Sequence, residues 1–154
     1  MKIRKATLND ISKIDEIYIF GSFDEEKLQN KKIKKSDWIE MMSKHKKSRQ
    51  SSMKEDIQNP REYWIVAEEK EIVGFGQVVI NNSTQAELEK LYVDKKFRGK
   101  GIASKIEKEL ENWLKKKKIK RIYSRILMKN VPSIKFHNKK GFKQTAVRMD
   151  KILK

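Results

Sequence analysis

Between Leu91 and Ser104 the chain reads Leu-Tyr-Val-Asp-Lys-Lys-Phe-Arg-Gly-Lys-Gly-Ile-Ala-Ser, and here residue type and spacing point most directly to chemistry. A stretch of strand character gives way to a helical one across Gly99 and Gly101, with Ala103 close behind. Small residues let a ligand come near the main chain, and the first N–H groups of a helix have no partner within it. Together with the helix dipole, those N–H groups make a site for an anion, most naturally a phosphate. A tight turn with no ligand would use the same glycines. The loop is not a dinucleotide fingerprint, because the third small residue and the later acid are missing. Nor is it a P-loop, since no Gly-Lys-Ser/Thr ending follows. Two acids, Glu87 and Glu89, precede the loop, and strand alternation puts Glu87, Glu89, Leu91 and Val93 on one face. With no cysteine, a disulfide framework, a thiolate metal site and a catalytic thiol are excluded. His45 and His137 alone are too few for a histidine-built metal centre.

The elements that must hold this loop are legible from hydrophobic period. Residues 2–5 have strand character, and Thr7 with Asp10 resembles a capping box. Leu8, Ile11, Ile14, Ile17 and Tyr18 then follow at helical spacing. From Asp24 to Asn59 the pattern is helical but polar. Its expected buried stripe is Leu28, Ile33, Trp38, Met41, Met42, Met53 and Ile57, with Ser36 as a cap and Pro60 closing the region. Strands are predicted at Tyr63–Glu68, Ile72–Ile80 and Gln85–Val93, separated by Glu69-Lys70-Glu71 and by Asn81-Asn82-Ser83. Ile102, Ile106, Leu110, Trp113 and Leu114 mark one face of a helix. A strand at Arg121–Leu127, a short helix around Pro132–Lys140 stopped by Gly141, and one or two strands in Phe142–Leu153 complete the series. The order implies a mixed α/β sheet with a parallel crossover through the helix after Gly101.

A length of 154 residues fits a single domain over 1–154. The net charge is +17, and the stretch from Lys115 onward holds fifteen basic residues against Asp150 alone. Ten more basic residues lie between Lys27 and Lys54. Such a field attracts anions of any kind, although a lysine-rich solvated surface would look the same. No apolar run reaches the roughly 20 residues of a membrane helix. The N-terminal segment lacks the apolar run of a signal peptide. These features predict a soluble cytoplasmic protein without a membrane partner.

Arg98-x-x-Gly101-x-Ala103, following an Ala-Glu-Leu-x-x-Leu-Tyr-Val strand, resembles the acetyl-coenzyme A motif of the GNAT superfamily of N-acetyltransferases. About thirty residues on, Asn130-Val-Pro-Ser133-Ile-Lys-Phe136-His137-Asn-Lys-Lys140-Gly141-Phe142 is similar to that family's second motif. The resemblance runs in order from about Glu71 to Phe142. It implies a mixed, mostly antiparallel sheet with a central parallel splay, flanked by helices. It also implies acetyl-CoA as cosubstrate, no metal, and transfer to a primary amine on a small molecule, a protein N-terminus or a lysine, by a monomer or homodimer. The splayed strand, Leu91, Tyr92 and Val93, would bind the pantetheine arm through its main chain. The pyrophosphate would rest on main-chain N–H groups across Arg98, Gly99, Gly101, Ile102 and Ala103, with Ser104 nearby and Lys100 adding charge. Asn130 and Ser133 would steady the cofactor or cap the short helix, and Phe136 belongs to the same motif.

An alkyl amine is about 99.9% protonated at neutral pH, so a base must act before attack. The resemblance makes Glu87 the expected base, with Glu89 its neighbour and rival. The leaving thiolate needs a proton or a donor. Where the family usually has tyrosine after the phenylalanine, this chain has His137; water or Tyr123 are the other candidate donors. A basic nucleic-acid- or ribosome-associated protein is the less favoured alternative, since no recognition motif accompanies the charge.

Overall fold

The computed structural model describes residues 1–151. Five strands form one sheet in the order β1 (Lys2–Lys5), β2 (Glu62–Glu68), β3 (Ile72–Ile80), β4 (Gln85–Val93) and β5 (Arg121–Tyr123). Each neighbouring pair is antiparallel except β4 and β5, which run parallel around the helix that links them. That helix, α4 (Ile102–Lys116), covers one face of the sheet; α1 (Ile11–Gln29) and α3 (Lys46–Gln58) cover the other, and α2 (Lys35–Lys44) and α5 (Val131–Lys139) complete the set.

The helical spacing of α4 explains its docking. Ile102, Ile106, Leu110 and Leu114 are all buried against Ile65, Ala67, Val78 and Leu88 of the sheet. Each such side chain contributes roughly 1.5–3 kcal/mol on burial. Gly76 makes this contact close, since a Cβ there would stand 2.5 Å from Ile106 and 2.9 Å from Leu110. On the opposite face, Ile14, Ile17, Met53 and Ile57 pack against Trp64, Val66 and Phe75. Asp15, 2% exposed, takes hydrogen bonds from Arg49 and Gln50, which ties α1 to α3. Buried charge of this kind is tolerated because it is paired and hydrogen-bonded.

The polar region 24–59 divides differently from its sequence pattern. The first helix continues to Gln29, and a break precedes α2 and α3. Trp38, Met42, Met53 and Ile57 are buried as expected, whereas Met41 is exposed. Ser36 is not the cap of α2; its hydroxyl donates to Asp37, and Lys34 holds the cap position. At the start of the chain Asp10 does close onto Thr7, accepting from its main-chain N–H and its hydroxyl. The strand expected over Arg121–Leu127 stops at Tyr123, because the chain leaves β4 beyond Glu87. No strand forms from Phe142 to Lys151, where the side chains beyond Phe142 are exposed and lack a sheet face to cover. Ile152 and Leu153, the end of the expected strand, lie outside the described residues. Among the described residues no helix is long and apolar enough to cross a membrane.

Candidate active site

Two features of β4 create the site. Its pairing with β5 covers only Gln85–Glu87, so the edge from Leu88 to Val93 that faces away from β3 has no strand partner. Its register against β3 also jumps, from Gln77↔Lys90 to Val78↔Leu88, leaving Glu89 as an extra residue in a bulge. A bulge reverses the alternation that follows it. Leu91 and Val93 therefore pack on the α4 face together with Ala86 and Leu88, while Tyr92 packs on the α1 face. The expectation that Glu87 shares a face with Leu91 and Val93 fails for this reason.

The loop after β4 ends in two left-handed residues, Gly99 (φ +79°) and Gly101 (φ +75°), the second immediately before α4. L-residues with a side chain adopt such a conformation only at a cost of roughly 1–2 kcal/mol. A Cβ at either position would meet nothing within 4 Å, so the main chain faces open space. That space is a cleft of about 510 Å³ bounded by Val93, Arg98, Gly99, Gly101, Ile102, Ala103 and Ser104, and across from them by Pro132, Lys135, Phe136 and Lys139 of α5. Lys100 lies outside this wall, with its ammonium 5.2 Å above the Phe97 ring. Arg98 does not point its guanidinium freely at the cleft. It donates to the Val93 carbonyl (2.9 Å) and pairs with Asp24 (2.8 Å), fastening the loop to β4 and α1.

Helix α5 is held opposite by its own chemistry. Asn130 caps it, accepting from the Ser133 N–H at 3.2 Å, and Pro132 sits in the first turn where no main-chain donor is needed. Lys140 reaches across to Glu107 (2.9 Å) and to the Ser104 carbonyl (3.3 Å), joining the end of α5 to the start of α4. Burial raises the Glu107 carboxyl above its ordinary range, against the lowering effect of Lys140.

A second cavity, about 90 Å³, opens where β4 and the chain after β5 diverge. Leu91, Tyr92, Asn130, Ser133 and His137 line it, as do Glu25, Glu89 and Arg125. Glu87 does not. Its carboxylate is engaged by Arg125 (2.7 and 3.2 Å) and by the Tyr123 hydroxyl (3.1 Å), and it is 8% exposed. Of the two β4 acids, Glu89 is the one at the cavity. His137 is buried, with Nδ1 2.8 Å from the Ser133 carbonyl. In the tautomer this contact requires, Nδ1–H donates and Nε2 is an acceptor; Nε2 is buried and has no partner. Burial also pushes the imidazole below its ordinary value. Donation to a thiolate from Nε2 would need the imidazolium that burial disfavours.

The sequence offers Glu25 only as one of five acids, with Asp24, Glu26, Glu55 and Asp56, that could form an anionic pocket for the acceptor; of these, the structure brings Glu25 to the cavity. Tyr18, Gly21 and Glu25 recur at helical spacing along the stripe of α1 that meets β4, a signal visible in the sequence but indistinguishable there from a solvated helix acid. Gly21 lets α1 descend onto Tyr92, and the Tyr92 hydroxyl donates to Glu25 Oε2 at 2.9 Å. Burial raises the Glu25 carboxyl, with Asp24 adding to the effect and the Tyr92 hydrogen bond opposing it.

Comparison with solved structures finds the same fold. The PaiA N-acetyltransferase from Thermoplasma acidophilum, in complex with coenzyme A, is 21% identical with a TM-score of 0.81, covering 96% of this chain and 92% of its own. An aminoglycoside 6'-N-acetyltransferase from Acinetobacter haemolyticus is 18% identical with a TM-score of 0.69, covering 100% of both chains. An aminoglycoside acetyltransferase from an uncultured soil metagenomic sample, in complex with sisomicin, is 19% identical with a TM-score of 0.68, covering 99% and 96%. No curated protein matches the sequence. The model of the acetyltransferase (GNAT) family matches residues 30–142, from the break before α2 through β4, the two-glycine loop and α5 to Phe142. With that match spanning most of the chain and the loop, splay and α5 in place, this protein belongs to the acetyltransferase (GNAT) family.

Proposed function

We propose that the protein transfers the acetyl group of acetyl-CoA directly to a primary amine. The observation that carries this reading is the pair of left-handed glycines before α4, open to a 510 Å³ cleft that α5 closes from the other side. A pyrophosphate there would take hydrogen bonds from the unpartnered N–H groups of Ile102, Ala103 and Ser104 and gain from the helix dipole. The pantetheine arm would run along the unpaired edge of Leu91–Val93, where main-chain groups are free to pair with its amides. That path leads towards the smaller cavity, whose lining adds Glu25, Glu89 and Tyr92. The solved structure of a similarly folded N-acetyltransferase with coenzyme A supports the choice of cofactor.

Direct attack suits this side-chain set. The chain has no cysteine, and the Ser133 hydroxyl stands 3.4 Å from His137 Nδ1, a nitrogen already committed to the Ser133 carbonyl. An ammonium must lose a proton before it can attack, and the cavity carboxylates Glu25 and Glu89 are placed to take it. Glu87 accepts from Arg125 and Tyr123, contacts that support a role for it in holding β5 and the following segment against β4. Acetyl-CoA at about 100 times its Kd should stabilise the protein by about 2.7 kcal/mol. For a chain of this length that raises Tm by about 5–10 °C. Gly101→Val should remove the effect, since a branched side chain at φ +75° both strains the turn and fills the approach to the main chain. A folded Gly101→Val protein that retains the parent's Tm rise would overturn the cradle.

A further inference from the structure

We propose that Glu25 receives the ammonium group of the acceptor and takes its proton, an inference that rests on the acetyl-transfer reading above. The hydrogen-bond accounting of the small cavity points there. Glu25 Oε2 accepts from the Tyr92 hydroxyl, while Oε1 has no protein partner among the described residues. His137 also stands in the wall of the same cavity, but its Nε2 is buried and closed to a ligand there. Glu89 adds a second carboxylate to the lining. Two carboxylates around one small space suit a ligand that donates, and an alkylammonium carries three N–H donors and no acceptor.

The cavity opens to the surface, and the acceptor its carboxylates suit is a primary alkylamine, which is charged at neutral pH.

The groups around Glu25 suit it to the proton transfer. On its own helix are Asp24, which is paired with Arg98, and Tyr18; β4 contributes Tyr92 and Glu89. Arg125 borders the cavity from the segment after β5 but is bound to Glu87, and His137 faces it from α5. Tyr92 keeps its proton because burial and the Glu25 charge push its hydroxyl far above the ordinary value, so it is a fixed donor. The Glu25 carboxyl, raised by burial, lies nearer the pH at which proton acceptors work best.

Oε1 takes one proton from the ammonium, and the freed nitrogen lone pair forms a bond to the acetyl carbonyl carbon. The carbon–sulfur bond breaks, the sulfur leaves with its electron pair, and the extra proton on nitrogen passes to the thiolate. The products are an amide, the free thiol of coenzyme A, and a proton that Glu25 returns to water.

The test measures acetyl transfer from acetyl-CoA to butylamine and to Nα-acetyl-lysine amide across pH, with acetyl-CoA affinity measured by calorimetry. Glu25→Gln should lower kcat/KM for the amine about 100-fold or more near neutral pH, with cofactor affinity unchanged. Glu25→Asp should recover part of the loss. Tyr92→Phe should move the rising limb of the pH profile upward, because the lost hydrogen bond had favoured the ionised carboxyl. A Glu25→Gln enzyme within about threefold of the parent, well under the usual acid–base contribution, overturns the assignment. So does a Tyr92→Phe limb that does not move, which decides the matter even where Glu25→Gln fails to fold. A parent protein that binds acetyl-CoA but acetylates neither amine overturns the acetyl-transfer reading and the Glu25 role with it. Parental turnover with an insensitive Glu25 overturns the Glu25 role alone.

Discussion

Gly21→Ala should destabilise the protein, although alanine is the better helix former. Gly21 lies inside α1, where replacement by alanine ordinarily stabilises by about 1 kcal/mol. Here the new methyl would stand 2.2 Å from Tyr92 Cδ1, 2.8 Å from Cε1 and 3.2 Å from Cγ, against an ordinary contact of at least 3.4 Å. The ring has little freedom to retreat. Tyr18 meets it edge-on at 5.7 Å, Phe75 lies at 5.6 Å, and its hydroxyl is bonded to Glu25. A displacement of about 1 Å is needed, which is overpacking of a closed core and typically costs about 1–3 kcal/mol. Weakening the charge-assisted hydrogen bond to Glu25 adds roughly 1 kcal/mol. Set against the helix gain, the net loss is about 2 kcal/mol, and Tm should fall by about 4–8 °C. Chemical denaturation of the parent, Gly21→Ala, Tyr92→Ala and the double variant gives the coupling between the two sites. The double variant should be more stable than the sum of the single losses implies, because truncating the ring removes the clash. A Gly21→Ala protein with a higher Tm than the parent, or purely additive losses, would refute the close approach of α1 to Tyr92.

Two further outcomes follow from buried charge. Folding holds His137 neutral in the interior, so the unfolded chain binds its proton more readily; its contribution to stability is complete above about pH 6.5 and is lost as pH falls towards the lowered folded-state value. Urea midpoints of the parent and His137→Gln at about pH 7.5 and about pH 5.5 should therefore converge at the lower pH, and a gap independent of pH would contradict the neutral buried ring. Lys140→Met leaves Glu107, 3% exposed in its side chain, without its cation, and should cost about 3 kcal/mol; adding Glu107→Leu should recover most of the loss, and failure to recover would mean that the pair does not join α5 to α4.

Local chemistry made much of this protein readable from its residues. The glycines before α4 are legible as left-handed turn residues, because a positive φ is a need that glycine alone meets without strain. The period of apolar residues in α4 and the run of strand formers in β2 and β3 depend only on which face is buried, so they too were legible. The Asn130 cap and Pro132 announced α5 in the same way. Three things required the tertiary structure. The bulge at Glu89 is a mismatch between two strands, invisible in either one, and it decides which side of the sheet Leu91, Tyr92 and Val93 face. The exchange of Glu87 for Glu89 at the cavity depends on Arg125 and Tyr123, which are 38 and 36 residues away from Glu87. The meeting of Glu25 with Tyr92 spans 67 residues and hangs on the missing side chain of Gly21. Sequence determines the elements and their caps because those follow from interactions within a few residues. Which carboxylate reaches the cavity follows from how distant elements pack, and packing is settled only when the whole chain has folded.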